Sequence, residues 1–159
     1  MDYSFDLNSL DDIYQEVIID HYQRPRNKGV LTNPDISSKG FNPFCGDEII
    51  LSIRLDSDGK AKCIVFDGQG CSISQASASM LTELLSNKDL DELKRISYLF
   101  RTMMRGECLS TAEKSLIEDL EVLQGVRKFP IRIKCALLAW AALDDGIEEY
   151  SVKILRKES

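Results

Sequence analysis

The chemically reactive residues of this chain are its cysteines, one of which lies two residues from an aspartate. The stretch "FNPFCGDEI" places Cys45 and Asp47 on either side of Gly46, where a strand is predicted to begin. In an extended segment the side chains of residues i and i+2 point to the same side, so both groups can reach one point in space. A thiolate and a carboxylate aimed together repel each other unless a cation lies between them, and a metal ion is the simplest such cation.

Two more cysteines lie beside breaks between predicted elements. Cys71 follows the glycine-rich stretch "DGQG" and precedes a helix start, where the helix dipole lowers the pKa of a thiol. Cys135 lies in the first turns of another predicted helix. With Cys45 and Asp47 they would complete a tetrahedral set of three thiolates and one carboxylate, which suits zinc, while thiolates also suit iron in a cluster. Because these residues are far apart in the sequence, spacing alone leaves scattered core cysteines as the alternative.

The charge of such a site has to be offset, and basic residues flank Cys135. Three thiolates and one carboxylate would leave a net negative charge even after a divalent ion is bound. Arg132 and Lys134 are expected to lie near the site, although cations at a helix N-terminus oppose the macrodipole. A local rule broken in this way is typical of a functional site. Arg127 and Lys128 are equally well interpreted as solvated surface charges.

The other reactive side chains have simpler interpretations. Cys63 lies inside a strand pattern, where a cysteine packs as a small hydrophobic residue. Cys108 lies in a polar connection and is interpreted as a free thiol. His21 is the only histidine, and at the end of an amphipathic helix it is interpreted as a packed or capping residue rather than a ligand.

The composition disfavours several classes of protein. The number of cysteines is odd and the N-terminus has no apolar leader, so we expect reduced thiols and a cytoplasmic location rather than a disulfide framework. The net charge of −6 disfavours a non-specific nucleic-acid binder. No apolar run approaches the roughly 20 residues that cross a membrane.

The elements that must position these residues follow an α+β pattern, with strands early and helices late. Apolar spacing predicts a first helix from Leu10 that ends before Pro25. The segments "DEIILSIRLD" and "KAKCIVFDG", joined by "SDG", predict a hairpin, and the segment before Cys45 is predicted to add a third strand. Further helices are predicted from Ile73 to Ser86, from Leu90 to Gly106, from a cap at Thr111 to Gly125, and from Pro130 onward. We expect one domain, residues 1–159, in which helices pack on one face of a small three-stranded antiparallel sheet.

Four stretches spread from about Leu10 to Trp140 form a specific combination: "VIIDHYQRPRN", "NPFCGDEI", "FDGQGCSISQASASML" and "FPIRIKCALLAW". Together they resemble the IscU/NifU-like family of iron–sulfur cluster assembly scaffold proteins. Within that family, two features of the chain make it most similar to the SufU branch. The stretch between Cys71 and Cys135 is longer than in the IscU branch, and Lys134 replaces the histidine that precedes the last cysteine there. Without that histidine, Asp47 is the natural fourth ligand.

The resemblance implies a fold with a small antiparallel sheet and helices on one side. It also implies a zinc site formed by Cys45, Asp47, Cys71 and Cys135. The partner implied is a cysteine desulfurase of the SufS type, which carries its own pyridoxal phosphate. Cys45 would accept persulfide sulfur from it and relay that sulfur toward the iron–sulfur assembly machinery. We therefore expect a sulfurtransferase-like relay rather than a classical enzyme.

Within this hypothesis each site residue has an expected role. Zinc would hold Cys45 as a thiolate, Asp47 would control how easily Cys45 leaves the ion, and Arg132 would orient the persulfide or contact the partner. The main alternative is a scaffold on which a [2Fe–2S] cluster is assembled on the same ligands and passed to apo-proteins. A structural zinc domain without chemistry is a further alternative. A hydrolytic zinc enzyme is disfavoured, because it would keep a water position and a nearby general base.

Overall fold

The structure, a computed structural model, describes residues 12–158. In chain order its elements are α1 (Asp12–Gln23), β1 (Ile36–Asn42), β2 (Asp47–Leu55), β3 (Ala61–Gln69), α2 (Ser72–Leu84), α3 (Leu90–Met104), α4 (Thr111–Ile117), a 3₁₀ helix (Glu118–Lys128) and α5 (Pro130–Glu158). The first helix ends before Pro25, as predicted, while its predicted start at Leu10 lies outside the described residues.

The three strands form one antiparallel sheet in the order β1–β2–β3. The predicted hairpin is formed by β2 and β3, and the segment before Cys45 supplies β1 as the third strand. The register of β1 on β2 places Asn42 directly opposite Asp47. This pair lies at the end of the sheet where the chain turns through Cys45. The residues around the turn are therefore positioned by the last residue pair of the two strands.

One face of the sheet carries the hydrophobic core and the helices. Alternate strand residues point to this face, and their larger side chains are buried: Ile36, Ile49, Leu51, Ile53, Ile64 and Phe66. Helix α2 packs against β3, and α5 packs against β1 and β2. Trp140 of α5 and Phe100 of α3 are both buried, with ring centroids 5.0 Å apart. The predicted α+β arrangement, with helices on one face of a three-stranded antiparallel sheet, is therefore confirmed.

Helix α2 is buried on nearly all sides, although its sequence is rich in serine. The polar side chains are accommodated because they bond to neighbouring elements. Ser77 Oγ donates to the backbone oxygen of Ala136 at 2.6 Å and accepts a hydrogen bond from Trp140 Nε1 at 3.1 Å. These two bonds tie α2 to the first half of α5, the part of that helix that contains Cys135.

Two glycines allow α5 to lie directly on β1. A Cβ at Gly40 would be 3.0 Å from Leu138 Cδ1 and 3.2 Å from the backbone oxygen of that residue, and a Cβ at Gly146 would be 2.8 Å from Ile36 Cγ2. Larger residues would push the helix away from the strand. Because Cys135 lies one turn before Leu138, the same close approach brings its sulfur to the end of the sheet.

The segment between α3 and α5 differs from the predicted single helix. Ser110 rather than Thr111 caps α4, because its side chain accepts from the backbone N–H of Glu113 in a capping box. The α-helix ends at Ile117, since Glu118 takes a left-handed φ of +44° and the chain continues as a 3₁₀ helix. Left-handed backbone is unfavourable for a residue other than glycine, and no sequence pattern indicates it here.

The last helix is longer than its apolar pattern suggests. Helix α5 continues through Gly146 and the polar tail to Glu158, over 29 residues. Its first half is buried against the sheet and its last turns are exposed. Within residues 12–158, no helix combines the length and the apolar character needed to span a membrane.

Candidate metal centre

Asp47, the first residue of β2, lies at the centre of the candidate site. Its carboxylate is fully buried, and Oδ1 accepts a hydrogen bond from the backbone N–H of Cys71 at 2.8 Å. Gly70 makes this contact possible, because a Cβ there would overlap Asp47 Oδ1 and lie 2.5 Å from Ser74 Oγ. The stretch before Cys71 therefore provides the close backbone approach predicted for it, and Oδ1 is engaged by the backbone while Oδ2 faces the thiols.

Cys45, Asp47 and Cys135 form a compact group whose ligand atoms all lie within 4.8 Å of one another. The sulfur atoms of Cys45 and Cys135 are 3.2 Å apart, and both residues are free cysteines. Cys71 adjoins the group through Asp47, with its Sγ 3.9 Å from Asp47 Oδ2. The structure thus brings three of the four predicted ligands into mutual contact and places the fourth against the shared carboxylate.

The route by which Cys45 approaches Asp47 differs from the expected one. The sequence suggested an extended segment in which both side chains point to the same side. Instead, Cys45 lies in the turn between β1 and β2, and only Asp47 belongs to the strand. Gly46 takes a left-handed φ of +67°, which other residues rarely adopt, and this reverses the chain so that both side chains still meet.

The distances in the group are close to those around a tetrahedral zinc ion. Zinc–sulfur bonds of about 2.3 Å place two sulfurs about 3.8 Å apart, and a zinc–oxygen bond of about 2.1 Å places oxygen and sulfur about 3.6 Å apart. The corresponding distances here are 3.2 Å between Cys45 and Cys135 and 3.9 Å between Cys71 Sγ and Asp47 Oδ2. The first separation is shorter and the second longer than in a tetrahedral zinc site, so the side chains would have to adjust to share one ion.

The burial of Asp47 also favours a cation at this position. Its side chain is in the interior, and none of the ion pairs formed within residues 12–158 includes it. An ionised carboxylate buried without a counter-charge is costly, and the neighbouring thiols add negative charge when they ionise. A divalent ion would supply the compensating charge, and the mixture of sulfur and oxygen donors fits zinc.

Arg132 is the basic residue that faces the thiols directly. Its Nη1 donates to Cys45 Sγ at 3.4 Å and lies 4.0 Å from Cys135 Sγ, and the side chain is only 9% exposed. Lys134 is exposed instead, and its Nζ lies 5.0 Å from the centre of the Phe44 ring. The two cations expected near the site thus differ, since Arg132 touches the sulfurs and Lys134 covers the outside of the turn.

The ionisation of these groups is coupled. A hydrogen bond with Cys135 lowers the pKa of the Cys71 thiol from 9.0 to about 6. The same hydrogen bond, together with burial, raises the pKa of Cys135. Burial by itself would lower the pKa of Arg132, but its hydrogen bond to Cys135 and the charges of Cys71 and Cys45 raise it. In the protein without metal, Cys71 therefore loses its proton before Cys135, and Arg132 stays charged.

The remaining reactive residues lie outside this group. Cys63 is half-buried on β3, opposite Arg54, and Cys108 is exposed between α3 and α4. His21 is buried in α1, and its Nδ1 lies 2.8 Å from Ser79 Oγ on α2. Within the described chain, neither these cysteines nor His21 belongs to a group that could hold a metal ion. The position of His21 agrees with its interpretation as a packed residue.

Two residues at the site were not identified from the sequence. Asn42 Nδ2 donates to Cys135 Sγ at 3.6 Å, and Ser74 Oγ lies 3.9 Å from Cys71 Sγ. Ser74 lies three residues after Cys71, one turn along α2, so the helical period could have indicated it. Asn42 could have been found only from the strand register, which pairs it with Asp47.

Comparison with known proteins places the chain in a family. Residues 13–157 match the family described as the NifU-like N terminal domain. The chain belongs to this family. The zinc-dependent sulfurtransferase SufU of Bacillus subtilis is 48% identical over 144 residues, which cover 91% of this chain and 95% of that relative. The iron–sulfur cluster assembly scaffold protein IscU of Streptococcus pyogenes serotype M1 is 41% identical over 142 residues, which cover 89% and 87% of the two chains.

Solved structures related to the NifU-like family share the fold. The iron–sulfur cluster assembly scaffold protein for the SUF system from Fervidobacterium islandicum AW-1 superposes with a TM-score of 0.77 at 29% identity, over 82% of this chain and 93% of that one. The N-terminal part of a NifU-like protein from Brucella abortus has a TM-score of 0.78 at 22% identity, over 90% and 97%. At that lower identity the likeness concerns the fold alone. The resemblance read from the sequence motifs is confirmed by these matches.

Proposed function

We propose that this protein is a zinc-bound sulfur acceptor in iron–sulfur cluster assembly, and that Cys45 receives the sulfur. The observation that carries the proposal is the asymmetry of the two touching thiols. Cys45 is half-exposed in a turn, whereas Cys135, 3.2 Å away, is fully buried. The family and the likeness to a relative named as a zinc-dependent sulfurtransferase support the same function.

In this proposal Cys45, Asp47, Cys71 and Cys135 hold the zinc ion. When bound, zinc keeps its thiol ligands deprotonated near neutral pH and shields them from oxidation. Asp47 contributes through Oδ2, since the backbone N–H of Cys71 engages Oδ1. A carboxylate is a harder and weaker ligand for zinc than a thiolate. Asp47 would therefore control how easily Cys45 leaves the ion.

Cys45 is suited to accept sulfur because a partner can reach it. Its neighbours Phe44 and Gly46 are both exposed, and the turn lies at the end of the sheet, between β1 and β2. Cys135 cannot act in this way, since its side chain is enclosed by α5 and the sheet. Cys135 is buried and would therefore remain a ligand, whereas the partly exposed Cys45 would be free to turn toward the partner.

The transfer itself is an exchange between sulfur atoms. The Cys45 thiolate attacks the terminal sulfur of a cysteine persulfide on the partner, so a bond forms between Cys45 Sγ and that sulfur. The bond between the terminal sulfur and the partner's cysteine breaks, and that cysteine leaves as a thiolate. The proton of the persulfide stays on the transferred sulfur or passes to solvent, and no external oxidant or reductant is required.

Arg132 assists by stabilising negative charge on sulfur. Its Nη1 donates to Cys45 Sγ and lies 4.0 Å from Cys135 Sγ, so a positive charge stands beside both sulfurs. When Cys45 moves toward a persulfide, Arg132 remains beside the position where negative charge develops. We propose this residue as the group that orients the incoming sulfur.

The partner we propose is a cysteine desulfurase of the SufS type, whose pyridoxal phosphate belongs to that enzyme. Its persulfide has to come within bonding distance of Cys45, so the enzyme has to cover the turn. Three of the large apolar side chains exposed on the described chain lie on segments next to the ligands: Phe41, Phe44 and Ile131. Lys134 adds positive charge over Phe44, so an acidic and apolar face is the complementary surface.

The relay is proposed to operate in the cytoplasm and to deliver sulfur to the iron–sulfur assembly machinery. The net charge of −6 supports protein partners rather than nucleic acid. The single-domain organisation over residues 1–159 also stays a prediction.

A second candidate function is a scaffold on which a [2Fe–2S] cluster is assembled. The donor set favours it too, because thiolates are the usual ligands of such clusters and two of them already touch here. The likeness to a relative named as a scaffold protein adds support. Anaerobic reconstitution with iron and sulfide separates the two functions. A stoichiometric cluster with ready loss of zinc would favour the scaffold.

Labelled sulfur provides the direct test of the relay. A cysteine desulfurase of the SufS type is charged with radiolabelled cysteine and mixed with the zinc-loaded protein, and the label on this chain is followed under non-reducing conditions. We expect the parent and Cys108→Ser to accept label, because Cys108 is exposed but remote from the ligand group. Cys45→Ser should accept none. If Cys45→Ser keeps its fold and still stimulates turnover of the desulfurase, the relay is wrong.

A further inference from the structure

Asn42 occupies a position beside the ligand group for which the proposed sulfur relay has no role so far. It is the last residue of β1, and it pairs with Asp47 across the ladder. Its side chain is on the helix-facing side of the sheet and is only 5% exposed. A buried amide needs partners at both ends, and the partners here identify what it does.

The two ends of the Asn42 amide bond to different parts of the site. Oδ1 accepts a hydrogen bond from the backbone N–H of Phe44 at 3.1 Å, and Nδ2 donates to Cys135 Sγ at 3.6 Å. The backbone N–H can only donate, so the oxygen has to face Phe44 and the amino group has to face the sulfur. The orientation of the amide is therefore determined by the local chemistry.

This hydrogen bond makes Cys135 different from Cys45. Cys135 receives a fixed, neutral N–H donor from the strand, and it also contacts Arg132. Cys45 contacts Arg132 at 3.4 Å, and its side chain is partly open to solvent. Both sulfurs lie near Arg132, so the feature that distinguishes Cys135 is the Asn42 amide, whose hydrogen bond holds its sulfur in place.

The same side chain also separates the fixed thiol from the moving one. The bond to Phe44 anchors the turn just before Cys45, while Gly46 on the other side has no atom within 4 Å of its Cβ position. The turn is thus tied on its N-terminal side and open around the glycine. Displacement of Cys45 need not disturb the bond between Asn42 and Cys135.

We propose that Asn42 is a positioning residue that keeps Cys135 on the metal, so that Cys45 is the thiolate that leaves. The inference rests on the proposed zinc site. It does not depend on the identity of the sulfur donor, and the tests below use metal binding and thiol reactivity instead of sulfur transfer. Loss of sulfur transfer would contradict the relay and leave these results unaffected.

The first test detects the hydrogen bond in the unmodified sequence. Nitrogen-labelled protein is loaded with a spin-active cadmium isotope in place of zinc. We expect a side-chain N–H proton of Asn42 to show coupling to cadmium through the sulfur of Cys135. A resolved Asn42 amide without that coupling, and with the chemical shifts of a solvated amide, would overturn the proposal.

The second test removes the donor and keeps the anchor. Asn42→Asp retains an oxygen for the Phe44 N–H but has no N–H for sulfur, and Asn42→Ala loses both bonds. In the cobalt-substituted protein we expect both variants to shift the thiolate-to-cobalt charge-transfer band to lower energy, since an unbonded thiolate gives up electrons more easily. Asn27→Asp is the matched control, because its amide bonds to Thr82 and introduces the same charge away from sulfur.

The third test asks which thiol leaves the metal. The zinc-loaded protein is treated with limiting iodoacetamide, and labelled peptides are quantified. In the parent we expect Cys45 to be modified well before Cys135. In Asn42→Asp the modification of Cys135 relative to Cys45 should rise several-fold, while Asn27→Asp and Ser77→Ala should keep the parental ratio. An unchanged ratio in a folded Asn42→Asp, with an unshifted cobalt band, would overturn the assignment.

Discussion

The protein buries two groups of polar side chains, one around His21 and one around Asp47, and they differ in how their bonding is completed. At His21, Nδ1 is 2.8 Å from Ser79 Oγ, and that oxygen accepts the backbone N–H of Arg26 at 2.8 Å. The hydroxyl can both accept and donate, so these protein groups satisfy each other. At Asp47, Oδ1 accepts the backbone N–H of Cys71, but Oδ2 faces thiols, which are weak partners for a carboxylate.

This difference in bonding distinguishes the His21 cluster, which is structural, from the Asp47 cluster, which is the candidate ligand site. The His21 cluster joins α1 to α2 and needs no further atom. In the Asp47 cluster the carboxylate and the thiols would repel each other when ionised, so we propose that a metal cation completes it beside Arg132. Buried polar groups alone therefore do not indicate function, whereas a buried cluster of groups that ionise to the same charge is a candidate ligand site. Substitutions in the two clusters should consequently have different effects, and the predictions below exploit this.

The largest effect is expected for Asp47→Ala. The change removes one ligand and leaves the backbone N–H of Cys71 without its acceptor. Loss of a residue that merely supports a ligand costs roughly 10–100-fold in affinity, so loss of the ligand itself should cost more than about 100-fold. Competition with a chromophoric zinc chelator measures this. Asp20→Ala, which removes two partly exposed ion pairs near His21, should retain the parental affinity. Equal affinities in both variants would remove Asp47 from the site.

A smaller but still clear effect is expected for Gly70→Ala. The new methyl group would overlap Asp47 Oδ1 and crowd Ser74 Oγ, so it should lower both zinc content and the free energy of unfolding, the latter by about 1–3 kcal/mol. Gly46→Ala is the control, since nothing lies within 4 Å of its Cβ position. Its left-handed φ should cost about 1–2 kcal/mol of stability, with a smaller loss of zinc than in Gly70→Ala. Metal analysis and chemical denaturation distinguish the two, and equal zinc loss would argue against steric displacement of Asp47.

Ser79→Ala should affect stability without affecting the metal. The substitution leaves His21 Nδ1 and the backbone N–H of Arg26 without their shared partner, which should lower the free energy of unfolding by about 1–3 kcal/mol. Zinc affinity should stay at the parental value. Ser115→Ala, at an exposed position on α4, should change stability by no more than about 0.5 kcal/mol. A fall in zinc affinity in Ser79→Ala would show that the two clusters are coupled.

The smallest effect is the pH dependence contributed by His21. Burial lowers its pKa below the ordinary value of 6.5, with Arg26 acting in the same direction and the carboxylates of Glu83, Asp20 and Asp119 opposing it. The unfolded chain therefore binds a proton more readily than the folded one, so the contribution to stability is complete above pH 6.5 and is lost as the pH falls through the folded pKa.

Denaturation of the parent and of His21→Asn at pH 7 and at pH 5 isolates this contribution. The parent should lose more stability between the two values than the variant does. Because the chain contains a single histidine, its imidazole resonances report the folded pKa directly. An imidazole that titrates above 6.5 in the folded protein would contradict the expected direction.

Much of the fold could be predicted because local patterns are strong. The alternation from Ile49 to Leu55 and the turn at Gly59 indicated the hairpin, and Pro130 indicated the start of α5. The break at Glu118 could not be predicted, since a left-handed φ at a residue other than glycine has no local sequence signal here. The same holds for Gly146, a residue that often ends a helix and here lies in the middle of α5 against Ile36.

The candidate site was predicted in its components but not in its geometry. Cys45 and Asp47 were expected to meet through an extended segment, and they meet instead through a turn at Gly46. Asn42 carries no chemical signature of its own, because its role depends on the strand register and on α5 approaching β1. Residue types indicate which atoms can bind a metal, whereas their arrangement depends on contacts between segments distant in the sequence.

The contact of α5 with β1 at Gly40 and Gly146 has a consequence for how the protein can change over time. There the spacing between helix and strand depends on the absence of a side chain at each glycine, which leaves room for Leu138 on the helix and Ile36 on the strand. Repacking the interior around Phe100 should therefore alter thermal resistance while the sulfur-bearing end keeps its shape. Substitutions can accumulate in most of the core during evolution. Replacement of Gly40 or Gly146 by a larger residue is the change that the protein would tolerate least.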